Sequence, residues 1–323
     1  MDRPRTPEPA AGQPTLPDSI SITFQGYPDR DEGERLAGVL IDCVRSVSSV
    51  IDLGSLDGLT LAHDYRNAVH TLDRGCDNPS PPRLSDAETI GVGIVLAVVR
   101  NGQVKNHIVF RADAVSGLLQ SQEGQAFRIA LYALARACGQ VEAQDCFERA
   151  FVGATLGLRQ DHPHDAQRWD IILACWNAFA ACWISASFAG DLADKTEDDF
   201  LQHLATAKDA AGRRVAAYQE HADRQMALAE VYAVYGSLMK RAARHLGTML
   251  GLGASPTDYP KTVAALDGHW FADAFQEMDS ILRRLASQLG TWPDKAVFEP
   301  IADIADGLIE ANELKALEAL SGA

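Results

Sequence analysis

Residues 171–190 read IILACWNAFAACWISASFAG, 20 positions without a charged side chain. A segment of that length either crosses a bilayer or forms a helix enclosed by protein on every side. It is rich in alanine rather than leucine, it contains Asn177, Ser185 and Ser187, and no Lys/Arg cluster flanks it. Membrane anchors carry basic flanks, so the segment is read as a buried helix. Such a helix needs a domain large enough to surround it. With 323 residues, 47% hydrophobic and 23% charged, the chain has an ordinary globular composition and length for one large domain or two modest ones.

Lys and Arg number 29 against 44 Asp and Glu, a formal charge of −15. That balance argues against nucleic acid as the main ligand and against an anionic membrane surface. The first 17 residues hold five prolines and no apolar run, so 1–18 is expected to be a disordered leader and not a secretory signal. Cys43, Cys76, Cys138, Cys146, Cys175 and Cys182 form no C-x-x-C pair, and free thiols suit a reducing cytoplasm. No cofactor is expected.

Residues 19–24 alternate polar and apolar as a half-buried strand does. Leu36, Val39, Leu40, Cys43, Val44 and Val47 give 31–51 an apolar helical face. A short strand is expected at 59–62 and a helix at 64–72 with Asp64 as N-cap, then a turn-rich loop over 75–82. Two apolar runs, 90–99 and 104–110, flank Asn101-Gly102, the strongest short-range hairpin signal. A short helix at 113–119, a longer one at 125–149 and the loop Asp161-His-Pro-His-Asp165 lead to the apolar helix. Beyond 190 only helical patterns occur, at 196–210, 213–250, 258–289 and 296–320. The fold class is therefore α+β: a mixed domain with a small sheet over 19–190, then an all-helical region over 191–323 packed on it. In the last stretch Glu299, Asp303, Asp306, Glu310 and Glu313 recur at spacings of four and three, with Ile301, Ile304, Leu308 and Leu317 supplying apolar positions. They are read as a solvated acidic face. Tyr232, Tyr235, Met239 and the basic run 240–244 are read as core, with a homo-oligomer surface as the alternative.

No P-loop, Rossmann glycine pattern, nucleophile elbow or metal-binding Cys cluster occurs; the GVG at 91–93 lacks a third glycine and a following helix. The informative stretch is 127–142, FRIALYALARACGQVE. Phe127, Leu131, Leu134, Cys138 and Val141 make it an amphipathic helix that any α+β domain could contain. Its layout also resembles the metal-binding helix of zincin-type metallopeptidases, particularly small IrrE/ImmA-like domains. There a helix beginning near F-R-x-A-L-x-x-L-A runs into H-E-x-x-H. Two histidines four residues apart share a helix face and hold zinc, and the Glu activates the water.

In that frame Arg136 stands at the first histidine, Ala137 at the glutamate and Gln140 at the second histidine. Arginine has no lone pair to offer a metal, alanine cannot take a proton, and one neutral amide oxygen is not a zinc site. The family's third ligand is a Glu in a context like W-x-E-Y-x-A-x-R. Trp176-Asn-Ala-Phe-Ala-Ala-Cys-Trp183 resembles it, with Ala178 at the Glu position. The resemblance covers about residues 20–190. It implies a pseudo-metallopeptidase with a zincin-like fold, no metal, and Arg136, Gln140, Ala178 and Asn177 around one cleft.

The expected function is regulatory binding of a protein or peptide, with an edge strand from the Asn101-Gly102 hairpin pairing the ligand. Arg136, Gln140, Glu142 and Asn177 are the expected binding residues, Arg136 pairing either with Glu142 or with an acidic group on the ligand, with a side chain that simply points to solvent as the alternative. Two other readings stand beside it: a hydrolase with a non-standard Cys/His/Asp site, and a helical scaffold. His162 and His164 are read as a polar loop capping the next helix, and His63 and His70 as ordinary histidines. Cys138 as a nucleophile would need Arg136 as its local cation.

Overall fold

The computed structural model describes residues 13–27, 29–76, 92–156, 162–221 and 224–314. The chain divides into two compact units, Met1–Gly157 and Leu158–Ala323. The division falls at 157/158 and not at 190, because the apolar helix expected to close the first domain packs on helices that follow it.

In the first unit, β1 (Ser21–Gln25), α1 (Arg30–Ser48), β2 (Leu56–Ala62), α2 (Tyr65–Thr71), β3 (Gly93–Arg100), β4 (Gln103–Arg111), α3 (Ala112–Val115) and α4 (Gln125–Ala150) follow one another. The sheet order is β1-β2-β4-β3. β1 and β4 both run parallel to β2, and β3 runs antiparallel to β4. A parallel neighbour requires a crossover, which α1 supplies between β1 and β2. The side chain of Asp29 caps α1 by accepting from the Asp31 N–H at 2.9 Å, and Leu36, Leu40, Val44 and Val47 are buried on its inner face. The hairpin forms where expected: Asn101 at φ 53° and Gly102 at φ 77° are both left-handed, as a two-residue turn between twisted strands requires.

Both faces of the central strands are buried, which explains the nearly continuous apolar runs in β2 and β4. On one face Leu96, Val109 and Ala62 cluster with Tyr65, Ala68 and Val69 of α2. On the other Leu59, Leu61, Val95, Ala97, Ile108 and Phe110 are buried. Helix α4 packs against β3, β4 and α1. Gly58 lets the strands close up, since a methyl there would overlap Ser21 and lie 3.1 Å from the His107 ring.

The second unit is helical throughout its described residues. It comprises α5 (Pro163–Ile184), α6 (Ala193–His221), α7 (Arg224–Leu252), α8 (Pro260–Leu266), α9 (Ala272–Ser287) and α10 (Glu299–Ile309). Its main contact is α5 on α7. The two helices approach closely because α7 turns glycines towards α5. A methyl on Gly247 would overlap the Phe179 carbonyl, one on Gly251 would stand 2.5 Å from the Trp183 carbonyl, and one on Gly236 2.9 Å from Ile171. The alanine-rich run of α5 fits that spacing, and Trp176, Phe179 and Cys182 within it are fully buried. No helix among the described residues is long and apolar enough to cross a membrane.

Several expectations are corrected. Residues 1–12 of the leader lie outside the described residues, but Thr15 is tied down: its hydroxyl donates to the Ile51 carbonyl at 3.1 Å and accepts from the Leu53 N–H at 2.9 Å. Helix α6 runs through Gly212 instead of breaking there, and the stretch 258–289 is two helices, because Gly268 at φ 65° ends α8. Tyr232, Tyr235 and Met239, by contrast, are buried, as the core reading expects. Residues 77–82, Ile90, Asp161, the Glu313 side chain and Leu317 lie outside the described residues.

Replacing Gly247 by Ala is expected to destabilise the second unit by about 1–3 kcal/mol through overpacking against α5. Gly212→Ala, where the added methyl meets open space, should instead stabilise by up to about 1 kcal/mol. Urea midpoints of the two variants against the parent protein separate these outcomes.

Candidate functional site

Helix α4 presents two kinds of surface. Phe127, Ala130, Leu134, Ala135, Cys138, Val141, Cys146 and Phe147 are buried. Beside them Arg136, Ala137, Gln140 and Gln144 form a half-buried stripe, with Arg136, Gln140 and Gln144 at successive four-residue spacings that put them on one face. Among the described residues Arg74, Arg100, Arg111, Arg168, Arg241, Arg244 and Arg283 are the other buried or half-buried arginines, and each has a polar partner. Arg136 has neither a hydrogen bond nor an ion pair among the described residues. The Oε1 atom of Gln144 is buried without a partner as well.

Glu142 is not the partner of Arg136. It is buried with 6% exposure, and its Oε2 accepts the Asp52 N–H at 2.9 Å, which ties α4 to the loop before β2. Burial pushes its pKa up to about 7, against the lowering effect of the Asp52 hydrogen bond. This is a structural acceptor, placed by a loop that sequence spacing does not reveal.

β3 is an edge strand. Arg100 and Gln103 flank the turn, so residues 94, 96, 98 and 100 exchange hydrogen bonds with β4 while 93, 95, 97 and 99 point their backbone groups outward. Half of that outer edge is occupied by the chain itself. The Val99 N–H donates to the Arg74 carbonyl at 2.8 Å, and the Arg74 Nε donates to the Ala97 carbonyl at 2.9 Å. Gly75 at φ 63° permits this approach, as a methyl there would overlap the Val99 carbonyl. The outward groups of Gly93 and Val95, and the Ala97 N–H, have no backbone partner among the described residues.

Another polar array lies on the sheet. His107 Nδ1 is 3.0 Å from Asp57 Oδ2 and its Nε2 is 2.9 Å from the Thr60 hydroxyl. Arg100 Nε stands 3.2 Å from the other Asp57 oxygen. Burial holds the His107 pKa below its ordinary value despite the Asp57 bond, so the neutral ring donates through Nδ1 and accepts from Thr60. Hydroxyl, imidazole and carboxylate are in the order of a nucleophilic triad, but Thr60 is 2% exposed and no substrate carbon reaches it. The array spans β2, β4 and β3 and locks their register. A histidine inside the apolar run of β4 was the signal available in sequence; its partners depend on the irregular register between Leu56 and Gly58.

The remaining candidates resolve individually. Burial pushes the Cys138 and Cys175 thiols up to about 12 and the Cys146 thiol up to about 11, the reverse of what a thiolate nucleophile needs. His162 caps α5, its Nδ1 accepting the His164 N–H at 3.3 Å, and His164 Nε2 lies 2.8 Å from the Tyr232 hydroxyl. His63 and His70 are exposed. Asn177 is half-buried and Ala178 buried on α5, in the second unit. The acidic face of α10 is not merely solvated. Arg168 of α5 is held by Glu299 at 3.0 Å, by Asp303 at 2.7 Å and by Asp306, whose carboxylate also accepts from Tyr232.

Also in the second unit, the fully buried His245 has its pKa lowered to about 4 by burial. Its Nε2 is 3.0 Å from Thr262 Oγ1, which donates to Glu197 at 2.9 Å. The Thr262 proton is thereby spent, so His245 Nε2 is the donor and its Nδ1 is left bare, without a partner. Among the described residues no group of three His, Cys, Asp or Glu side chains is placed to hold a metal ion. The chain matches no protein-family model, no curated protein and no solved structure.

The two buried titratable groups predict opposite pH effects. The raised pKa of Glu142 gives stability that is complete below about pH 4.5 and lost as pH rises through 7. Glu142→Gln should therefore stabilise the first unit by about 1–3 kcal/mol at pH 8 and change little at pH 4. The lowered pKa of His245 gives stability present above pH 6.5 and lost as pH falls through 4, about 3 kcal/mol in all. Thermal unfolding of the parent and of Glu142→Gln across pH 4–8 reads both, and a pH-independent difference for Glu142→Gln would contradict the assignment.

Proposed function

We propose that the first unit is a zincin-like scaffold without catalytic activity that binds an extended peptide or protein segment in a regulatory role. The observation that carries this reading is an antiparallel edge, β3, half of which no described residue covers, and which leads through β4 to a helix with none of the three groups zinc hydrolysis needs. The resemblance implies that order of elements: a helix, a strand, a hairpin and then the metal-binding helix. At the positions that would hold and use the metal stand Arg136, Ala137 and Gln140, a cation, a methyl and a neutral amide. A strand edge with free N–H and C=O groups recruits a further strand, and residues 93–97 supply one. All six cysteines are free, which suits the reducing cytoplasm we assign to the protein. The buried Cys138, Cys146 and Cys175 thiols resist ionisation and Thr60 is sealed, which favours binding over the hydrolase reading.

The full chain is expected to carry substoichiometric zinc after dialysis and to cleave no peptide in a random pool, while retaining some peptides on an affinity column. N-methylating alternate residues of the best-retained peptide should cost at least tenfold in affinity in one phase and little in the other, because only one set of amides faces β3. Stoichiometric zinc, or equal loss in both phases, would sink the reading.

A further inference from the structure

We infer that the ligand of the first unit is recognised through a carboxylate, gripped by the guanidinium of Arg136. The inference rests on the peptide-binding reading above and adds the chemistry that selects the peptide.

A guanidinium presents a rigid fork of N–H donors and matches a carboxylate with two parallel hydrogen bonds. A half-buried charge has given up part of its hydration and needs a partner to compensate. The seven other buried or half-buried arginines obey that rule among the described residues; Arg136 does not. Carboxylates are not in short supply, with 44 Asp and Glu against 29 Lys and Arg. Its nearest acid along α4, Glu142, is committed to the Asp52 N–H instead. Arg136 therefore stands ready for an external anion.

Its neighbours refine the anion's identity. Gln140 and Gln144 are neutral, so the stripe brings one positive charge and not the several that a phosphate dianion usually gathers. The Oε1 atom of Gln144 is buried, which leaves Arg136 as the only charged contact the stripe offers. The fitting ligand is a peptide that carries a carboxylate. The carboxylate can come from an Asp or Glu side chain or from a free C-terminus.

Four pools of random octapeptides distinguish these sources: one fixed Glu or Gln, each with a free or amidated C-terminus. They are passed over the immobilised full chain and the retained fraction is measured by mass spectrometry. Carboxylate-bearing pools should be retained at least tenfold over the amidated Gln pool. The Glu amidated pool identifies a side-chain source, and the Gln free-acid pool a terminal one. Arg136→Ala and Arg136→Gln should erase the preference, and Arg136→Lys should keep part of it, all with an unchanged melting temperature because no described residue bonds to the guanidinium. Equal retention of all four pools would overturn the inference and leave the peptide-binding reading intact. A preference that survives in both Arg136→Ala and Arg136→Gln, or a matched phosphoserine pool that outcompetes the Glu pool, would also overturn it. No retention of any pool would overturn both.

Discussion

A two-residue turn sets the architecture of the first unit. Asn101 and Gly102 both adopt left-handed backbone, so β3 folds back antiparallel on β4 and can lie nowhere else. The other side of β4 is taken by the parallel pairing with β2. β3 is thus confined to the edge, its alternate backbone groups face away from the sheet, and the chain leaves β4 through α3 directly into α4. Each element of the candidate site follows from that sequence of constraints: the open edge, the helix that packs against β3 and β4, and the stripe on that helix.

The hairpin is legible in the sequence because its signal is local, two residues that tolerate positive φ between apolar runs. α5 is legible for a similar reason, since a run of uncharged residues can only be enclosed. The spacing of Arg136, Ala137 and Gln140 on one helix face is legible from periodicity alone. What is not legible is long-range pairing. The acidic face of α10 reads as solvated until Arg168, more than a hundred residues earlier in the chain, is seen to sit among its carboxylates. The bond from Asp52 to Glu142 crosses 90 positions, and Asp57 reaches His107 only because the β2–β4 register is irregular there. Helix ends behave likewise: Gly212 lies within α6 and Gly268 ends α8, though the residue type is the same.

The second unit shows how an apolar helix can resemble a membrane span and be something else. Small residues let α5 and α7 approach until the methyl of an alanine would be too large at Gly247. Polar groups then cross-link the bundle, in one case at a half-buried and in the other at a fully buried position. Arg168, Tyr232 and the carboxylates of α10 join three helices at one place, and His245, Thr262 and Glu197 join another three. In the first a single cation satisfies several carboxylates, and in the second a hydroxyl donates to Glu197 while it accepts from His245, so each helix position is tied to its neighbours.

The Arg74–Gly75 segment that covers half of the β3 edge has a kinetic consequence. Among the described residues the groups left without a backbone partner are the N–H and C=O of Gly93 and Val95 and the N–H of Ala97. At about 1 kcal/mol net per hydrogen bond these yield roughly 5 kcal/mol, an affinity of about 0.2 mM at best. A guest strand held that way dissociates quickly. The same cover denies a second copy the long, flat edge on which chains stack into fibres. On the peptide-binding reading we propose, short residence would let this edge sample many passing segments, and the lifetime of any one of them would be decided by its side chains.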